Sequence, residues 1–244
     1  MNLIIDIGNS YTKLAIFDNY DIISTEKVNN DKNELIYSFF SKNSGLDKGI
    51  VSITGKSDPE ILNFISNNLN LFLILDEHTA LPIENLYETK DTLGKDRIAA
   101  AVAANHLFPA NNLLVIDAGT ALTYEFINNK AQYLGGCISP GLSMRFKALN
   151  TFTNKLPLVT ASEHYNVPAS TTHDAIQCGV QSGIIKEIEG TIKEFEGQYS
   201  DLKVVFTGGD VVFFEKKVKS RIFVDSNLVL RGLNRILDFN AEKI

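Results

Sequence analysis

The chemistry in this chain concentrates where apolar runs end in a carboxylate beside a glycine. The first such place is Asp6-Ile7-Gly8-Asn9-Ser10-Tyr11-Thr12-Lys13, directly after Leu3-Ile4-Ile5. A tight turn with no side chain at Gly8 lets backbone N–H groups approach an anion. Asn9, Ser10 and Thr12 can add hydrogen bonds, and Lys13 can add charge. Asp6 suits a hydrated Mg²⁺, which takes one or two carboxylates together with phosphate oxygens. An ordinary hairpin is the plain alternative for one such turn. A second copy, Asp117-Ala118-Gly119-Thr120-Ala121-Leu122-Thr123, follows Leu113-Leu114-Val115-Ile116. Two such turns in the same context are expected to act as a pair of jaws on a nucleotide's phosphate chain. Neither is a Walker loop or a dinucleotide fingerprint, because a helix does not directly follow the glycines.

Two further segments complete the set. Val204-Val205-Phe206-Thr207 runs into Gly208-Gly209-Asp210, where paired glycines would let a flat group such as adenine lie on the backbone. Gly94-Lys95-Asp96-Arg97 opens an Ala-rich helix, whose N-terminus favours a nearby anion. Asp96 could simply be a first-turn acid and Arg97 a surface charge. Beside phosphate-binding turns, the Asp can accept a proton from an attacking hydroxyl and the Arg can hold substrate or developing charge.

The elements that must position these residues repeat. Each Asp-x-Gly turn sits between an apolar strand and a second strand, 12–17 or 122–127. A third follows at 22–28 or 132–138. Helices and strands then alternate: helices at 33–42, 59–68 and 94–107, strands at 49–53 and 71–75. After the breakers Pro109-Ala110-Asn111-Asn112 come helices at 141–149 and 174–196 and strands at 203–207 and 221–224. A closing amphipathic helix occupies 227–239. The pattern predicts an α/β protein of two similar domains, residues 1–111 and 112–244, with mixed sheets flanked by helices.

Composition narrows the class. The 244 residues are 44% hydrophobic and 21% charged, ordinary for a globular protein, and the net charge is −6. That balance argues against a nucleic-acid surface. Cys137 and Cys178 lack paired metal-ligand spacing and read as free thiols of a cytoplasmic protein. No signal peptide or membrane-spanning run is evident. His78, His106, His164 and His173 form no catalytic grouping.

Taken in order with Gly135-Gly136-x-Ile138-x-Pro140-Gly141, these segments resemble the motifs of type III pantothenate kinase across nearly the whole chain. The resemblance implies two ribonuclease-H-like domains of the actin, sugar kinase and chaperone ATPase superfamily, assembled as a homodimer. It implies ATP-dependent phosphorylation of pantothenate at its 4′-hydroxyl, the first committed step to coenzyme A. Asp96 takes the role of proton acceptor, and Gly94, Lys95, Asp96 and Arg97 that of the pantothenate-contacting segment. The stretch from Asp6 to Lys13 would bind ATP phosphates with Mg²⁺. Thr120 would contact ATP, and Asp117 would hold a monovalent cation, K⁺ or NH₄⁺. Tyr87 fits a substrate-contacting tyrosine. Thr172 fits a threonine supplied across the dimer, with Thr171 standing where the family usually has Asn. Glu125 replaces the family's usual Asp, and the usual Pro between Tyr87 and Gly94 is lacking. Another phosphotransferase of the superfamily would share the jaws but differ on the substrate side. A non-catalytic transcription accessory factor would not require Asp6, Asp96 and Asp117 together.

Overall fold

The computed structural model describes residues 1–243, which divide by contact into two compact units. Unit 1 comprises Met1–Pro109, Ala131–Leu134 and the chain from Asn227 onward; unit 2 comprises Ala110–Lys130 and Gly135–Ser226.

Unit 1 begins with β1 (Asn2–Ile7), β2 (Tyr11–Asp18) and β3 (Asp21–Asn29), followed by α1 (Asn33–Lys42), β4 (Lys48–Ile53), α2 (Pro59–Asn67) and β5 (Leu71–Ile74). Its sheet runs β3-β2-β1-β4-β5, with β1 antiparallel to β2 and parallel to β4. All six residues of β1 are buried, so the strand reads as an apolar run broken only by Asn2 at its start and Asp6 before its last residue. Strand alternation still sorts them. Leu3, Ile5 and Ile7 join Leu14, Ile16 and Val51 in a core with Ile36, Phe39, Ile61 and Ile65 of α1 and α2. Ile4 and Asp6 therefore point to the opposite face. α2 starts where Asp58 accepts the Glu60 N–H at 2.9 Å and Pro59 takes the first helical position.

A two-residue strand β6 (Glu84–Asn85) precedes α3 (Lys95–Leu107). The Ala-rich run of α3 is buried continuously from Arg97 to Ala104, so this helix has almost no polar side to show.

Unit 2 carries β7 (Leu113–Ala118), β8 (Ala121–Ile127), β9 (Gln132–Pro140), α4 (Leu142–Thr151), α5 (Thr172–Gln198), β10 (Lys203–Thr207), α6 (Val211–Glu215) and β11 (Phe223–Val224). The order β9-β8-β7-β10-β11 reproduces that of unit 1, with β7 antiparallel to β8 and parallel to β10. Leu114, Ile116, Phe146, Ile184, Ile188 and Phe206 centre its core. The first two residues of β9, Gln132 and Tyr133, lie in unit 1 and pair with β6.

The last helix, α7 (Leu228–Ala241), is the one whole element that chain order does not predict, because it packs in unit 1 rather than in the second half. It lies against α3, β1 and β4. Gly232 makes that approach possible: a Cβ there would sit 1.8 Å from the Ala99 carbonyl oxygen. Asn2 Nδ2 donates to Asn234 Oδ1 at 2.8 Å and to Asp238 Oδ1 at 2.9 Å, fixing α7 along β1. Two elements had no signal in the sequence reading. β6 is too short for alternation to register, and α6 spans little more than one turn. No helix among the described residues is long and apolar enough to cross a membrane.

Candidate active site

Three strands bring polar side chains to one face of the unit 1 sheet. Register pairs Asp6 with Lys13 on β2 and with Ser52 on β4. The Asp6 side chain is 8% exposed and Ser52 is fully buried. Asp6 Oδ1 and Ser52 Oγ lack a hydrogen-bond partner among the described residues. A buried oxygen with no partner is costly and calls for an explanation, of which a bound cation or water is one. Burial pushes the Asp6 carboxyl up to about 6, and the charge of Asp96 pushes the same way, against the opposing pull of Lys13 and the nearby Ser52 hydroxyl. Asp6 and Asp96 thus feel one another although ninety residues of sequence separate them. The reason is layer packing: α7 lies along β1 and β4, and α3, packed on α7 and against β4, brings Asp96 to that side of the sheet.

Asp96 sits in the first turn of α3, where Gly94 is the N-cap. One carboxylate oxygen, Oδ1, accepts the Arg97 N–H at 2.9 Å. The other accepts no hydrogen bond among the described residues and remains open. Gly94 gives the carboxylate room, since a Cβ there would fall 2.7 Å from Asp96 Oδ1. Arg97 is 8% exposed, and its guanidinium lies 5.7 Å from the centroid of Tyr87. Tyr87 leans on the fully buried Tyr133 at 6.1 Å between centroids. Lys95 points elsewhere, 3.7 Å from Glu77 Oε2.

The first turn is held from outside. Gly8 N–H closes it on the Tyr11 carbonyl at 3.0 Å. Thr54 and Gly55 N–H groups donate to the Ile7 carbonyl at 2.9 and 3.1 Å. Gly55 must be glycine, because a Cβ there would fall 2.1 Å from the Gly8 carbonyl oxygen. The backbone N–H groups of Asn9 and Ser10 have no acceptor among the described residues, and both residues are exposed. Such a pair of free donors can donate to an anion.

Unit 2 repeats the construction. Asp117 pairs in register with Thr123 on β8 and with Thr207 on β10, so Thr207 stands where unit 1 has Ser52. Gly119 N–H closes the turn on the Ala121 carbonyl at 3.0 Å. Gly208 adopts φ +104°, and a Cβ on it would lie 2.3 Å from the Ala118 carbonyl and 2.5 Å from Asp117 Oδ1. Glycine is therefore dictated there, and the backbone is brought up to the carboxylate. Gly209 faces open space. Thr120 is exposed beside the turn. At the start of α5, Thr171 spends its hydroxyl as the N-cap, accepting the Asp174 N–H at 3.1 Å. The neighbouring Thr172 hydroxyl is exposed and uncommitted.

A family model described as type III pantothenate kinase matches residues 2–194. Chains named type III pantothenate kinase from Bacteroides fragilis and Christiangramia forsetii are 46% and 42% identical, covering 100% and 98% of this chain and 100% and 99% of theirs. The chain belongs to the type III pantothenate kinase family. Among solved structures, a Campylobacter jejuni protein described as a Baf family transcriptional activator is 25% identical. It superposes with a TM-score of 0.65, covering 98% of this chain and 99% of that one. An inorganic polyphosphate/ATP-glucomannokinase from an Arthrobacter species is 12% identical over 100% of both chains, with a TM-score of 0.53. The fold is that of the actin and sugar-kinase ATPases, two ribonuclease-H-like sheets flanked by helices.

Asp6, Lys13, Tyr87, Asp96 and Arg97 all lie in unit 1, Asp6 beside Lys13 and within the electrostatic reach of Asp96, and Arg97 over Tyr87. Gly208 and Asp117 come together in unit 2. Sequence reasoning missed Ser52, Gly55 and Asn30. Thr54-Gly55 is a second Thr-Gly pair near the end of an equivalent strand, two residues later in register than Thr207-Gly208, and that partial echo is the available signal. Ser52 and Asn30 left none, because only register and a folded turn bring them to the site.

Proposed function

We propose that this chain is an ATP-dependent kinase that phosphorylates the 4′-hydroxyl of pantothenate, the opening reaction of coenzyme A synthesis. The observation that carries the reading is that the buried Asp6 carboxyl lies within the electrostatic reach of Asp96 at the start of α3, in a chain of this family. The open oxygen of Asp96 acts as the proton acceptor. It draws the proton from the attacking hydroxyl as the oxygen bonds to the γ-phosphorus and the bond to ADP breaks. Arg97, steadied on Tyr87, orients the substrate, and Gly94 and Lys95 complete the segment that contacts it. Thr172 supplies a further substrate contact, from a partner subunit of a homodimer.

In unit 1 the free N–H groups of Asn9 and Ser10 and the charge of Lys13 bind nucleotide phosphates; in unit 2, Thr120, Gly208 and Gly209 offer a second turn for nucleotide binding. Asp6 fits Mg²⁺, since a buried carboxylate oxygen without a protein partner is suited to a hydrated cation. Mg²⁺, when bound, offsets charge on the phosphate oxygens. Among the described residues no cluster of three or more His, Cys, Asp or Glu could hold a metal by itself, so phosphate and water must complete the shell. Asp117, against the Gly208 backbone, fits a monovalent cation.

The test is ADP release from MgATP with and without pantothenate, in Na⁺ and then in K⁺ or NH₄⁺, with the product identified by mass. Pantothenate-dependent release with a phosphopantothenate product is expected, faster in K⁺ or NH₄⁺. Folded dimer that releases no ADP under any of these conditions would refute it.

A further inference from the structure

The first phosphate turn depends on a residue outside its motif. Asn30 follows the end of β3, and its amide Nδ2 donates to the Gly8 carbonyl at 2.8 Å. A carbonyl only accepts, so the NH₂ end must face Gly8, leaving Oδ1 for the Thr12 hydroxyl, which donates to it at 2.9 Å. Thr12 is 2% exposed, so its hydroxyl is spent on this bond beneath the turn. The Ile7 carbonyl is already held by Thr54 and Gly55. Both carbonyls at the start of the turn are thus pinned by donors from behind, and the unpaired N–H groups of Asn9 and Ser10 remain outside.

Unit 2 meets the same need by different means. Gly141 follows the end of β9, as Asn30 follows the end of β3, and its backbone N–H donates to the Thr120 carbonyl at 3.2 Å. The Ala118 carbonyl, matching Ile7, accepts the Asp210 N–H at 2.9 Å. Unit 2 thus holds its turn by main chain alone, at the Ala118 carbonyl and at Thr120, one residue past Gly119, the counterpart of Gly8, whereas unit 1 uses a side chain to hold Gly8 itself.

We propose that Asn30 is a positioning residue for nucleotide phosphate binding, holding the Gly8 carbonyl away from the anion so that the Asn9 and Ser10 N–H groups are presented to it. This rests on the reading of the first turn as a phosphate turn given above. Without Asn30 the Gly8 carbonyl is free to rotate outward, where its negative end opposes phosphate and the donors lose alignment. Asn30→Asp is worse than Asn30→Ala, because a carboxylate cannot donate to Gly8 and adds like charge.

Titration calorimetry of the full-length protein with MgADP, alongside KM values for ATP and pantothenate and a thermal melt, tests the assignment. Asn30→Ala should weaken MgADP and raise the ATP KM by about five- to tenfold. Asn30→Asp should do so more strongly. The pantothenate KM should stay within about twofold of wild type, because one lost partly buried hydrogen bond acts on the turn alone. Thr12→Val, which keeps the side chain's shape but frees Oδ1, should show a smaller loss in the same direction, and Thr12→Ser should restore affinity. Unchanged MgADP affinity in folded Asn30→Ala and Thr12→Val overturns the proposal while leaving the phosphate turn standing. So does an equal rise in both KM values, which marks a merely structural role. Wild-type protein that binds no MgADP overturns the phosphate reading itself, and this inference with it.

Discussion

Replacing Asp6 with Asn should make the ligand-free protein more stable while it loses its function, and the gain should depend on pH in a fixed sense. The Asp6 carboxyl rises from its ordinary 3.8 to about 6, through burial first and Asp96 second. The folded chain therefore keeps this proton up to about pH 6, whereas the unfolded chain has released it by about pH 4. Between those values the folded state binds more protons, so raising the pH costs stability, and above about pH 6 the cost is complete. At about 1.4 kcal/mol per pH unit of displacement, the ionised carboxylate costs about 3 kcal/mol. Asn at this position carries no charge and can donate to the partnerless Ser52 hydroxyl. For a chain of this length the gain corresponds to a Tm rise on the order of 6–12 °C. Melts of wild type and Asp6→Asn in EDTA from pH 4 to 8 provide the assay, since the difference cancels every group the two proteins share. The gap should be small near pH 4, open between about 4 and 6, and stay level above. Asp96→Asn in the wild-type background should narrow it by removing the second cause. A gap independent of pH, or a variant less stable than wild type at pH 7.5, would refute the argument that burial and Asp96 burden this carboxylate.

Asp96→Asn should lower kcat by about 10²- to 10⁴-fold, as loss of a general base does, with MgADP affinity nearly unchanged; near-normal turnover with chemistry rate-limiting would remove Asp96 from that role. Thr171→Ala should cost about 1 kcal/mol of stability as a lost N-cap with little effect on the pantothenate KM. Thr172→Val should do the reverse, and an exchange of the two outcomes in melts and kinetics would reverse the assignment. Asp117→Asn should raise the K⁺ or NH₄⁺ concentration needed for half-maximal rate; an unaltered cation titration would dissociate Asp117 from the cation. Gly232→Ala should cost at least about 2 kcal/mol in urea unfolding, because its Cβ falls 1.8 Å from the Ala99 carbonyl and α7 must move off α3. Wild-type stability there would mean that the two helices are not packed as closely as described.

Much of the candidate site was readable because its determinants are local. An apolar run ending in Asp-x-Gly specifies a strand and a turn within ten residues, and its recurrence at Asp6 and Asp117 announces two like sheets. The N-cap Asp58 and the Pro59 beside it write a helix start into adjacent letters. The Ala-rich run after Gly94 does so for α3. What such signals cannot convey is which face of which element meets another. The sequence does not show which of Thr171 and Thr172 caps α5; that Thr171 accepts the Asp174 N–H is visible only once the helix start is folded.

The sequence by itself determined the strands, the turns, the repeat, the identity of the carboxylates and, through them, the family. Those properties live in short spans, where backbone preference and side-chain chemistry act between near neighbours. Tertiary structure alone decided that α7 leaves the second half to pack on α3, that Ser52 stands beside Asp6, and that Asn30 pins a carbonyl twenty-two residues earlier. It also decided that Asp6 is burdened by Asp96. Each of these depends on strand register or helix docking, fixed by burial summed over whole faces, and no local pattern of residues encodes that sum.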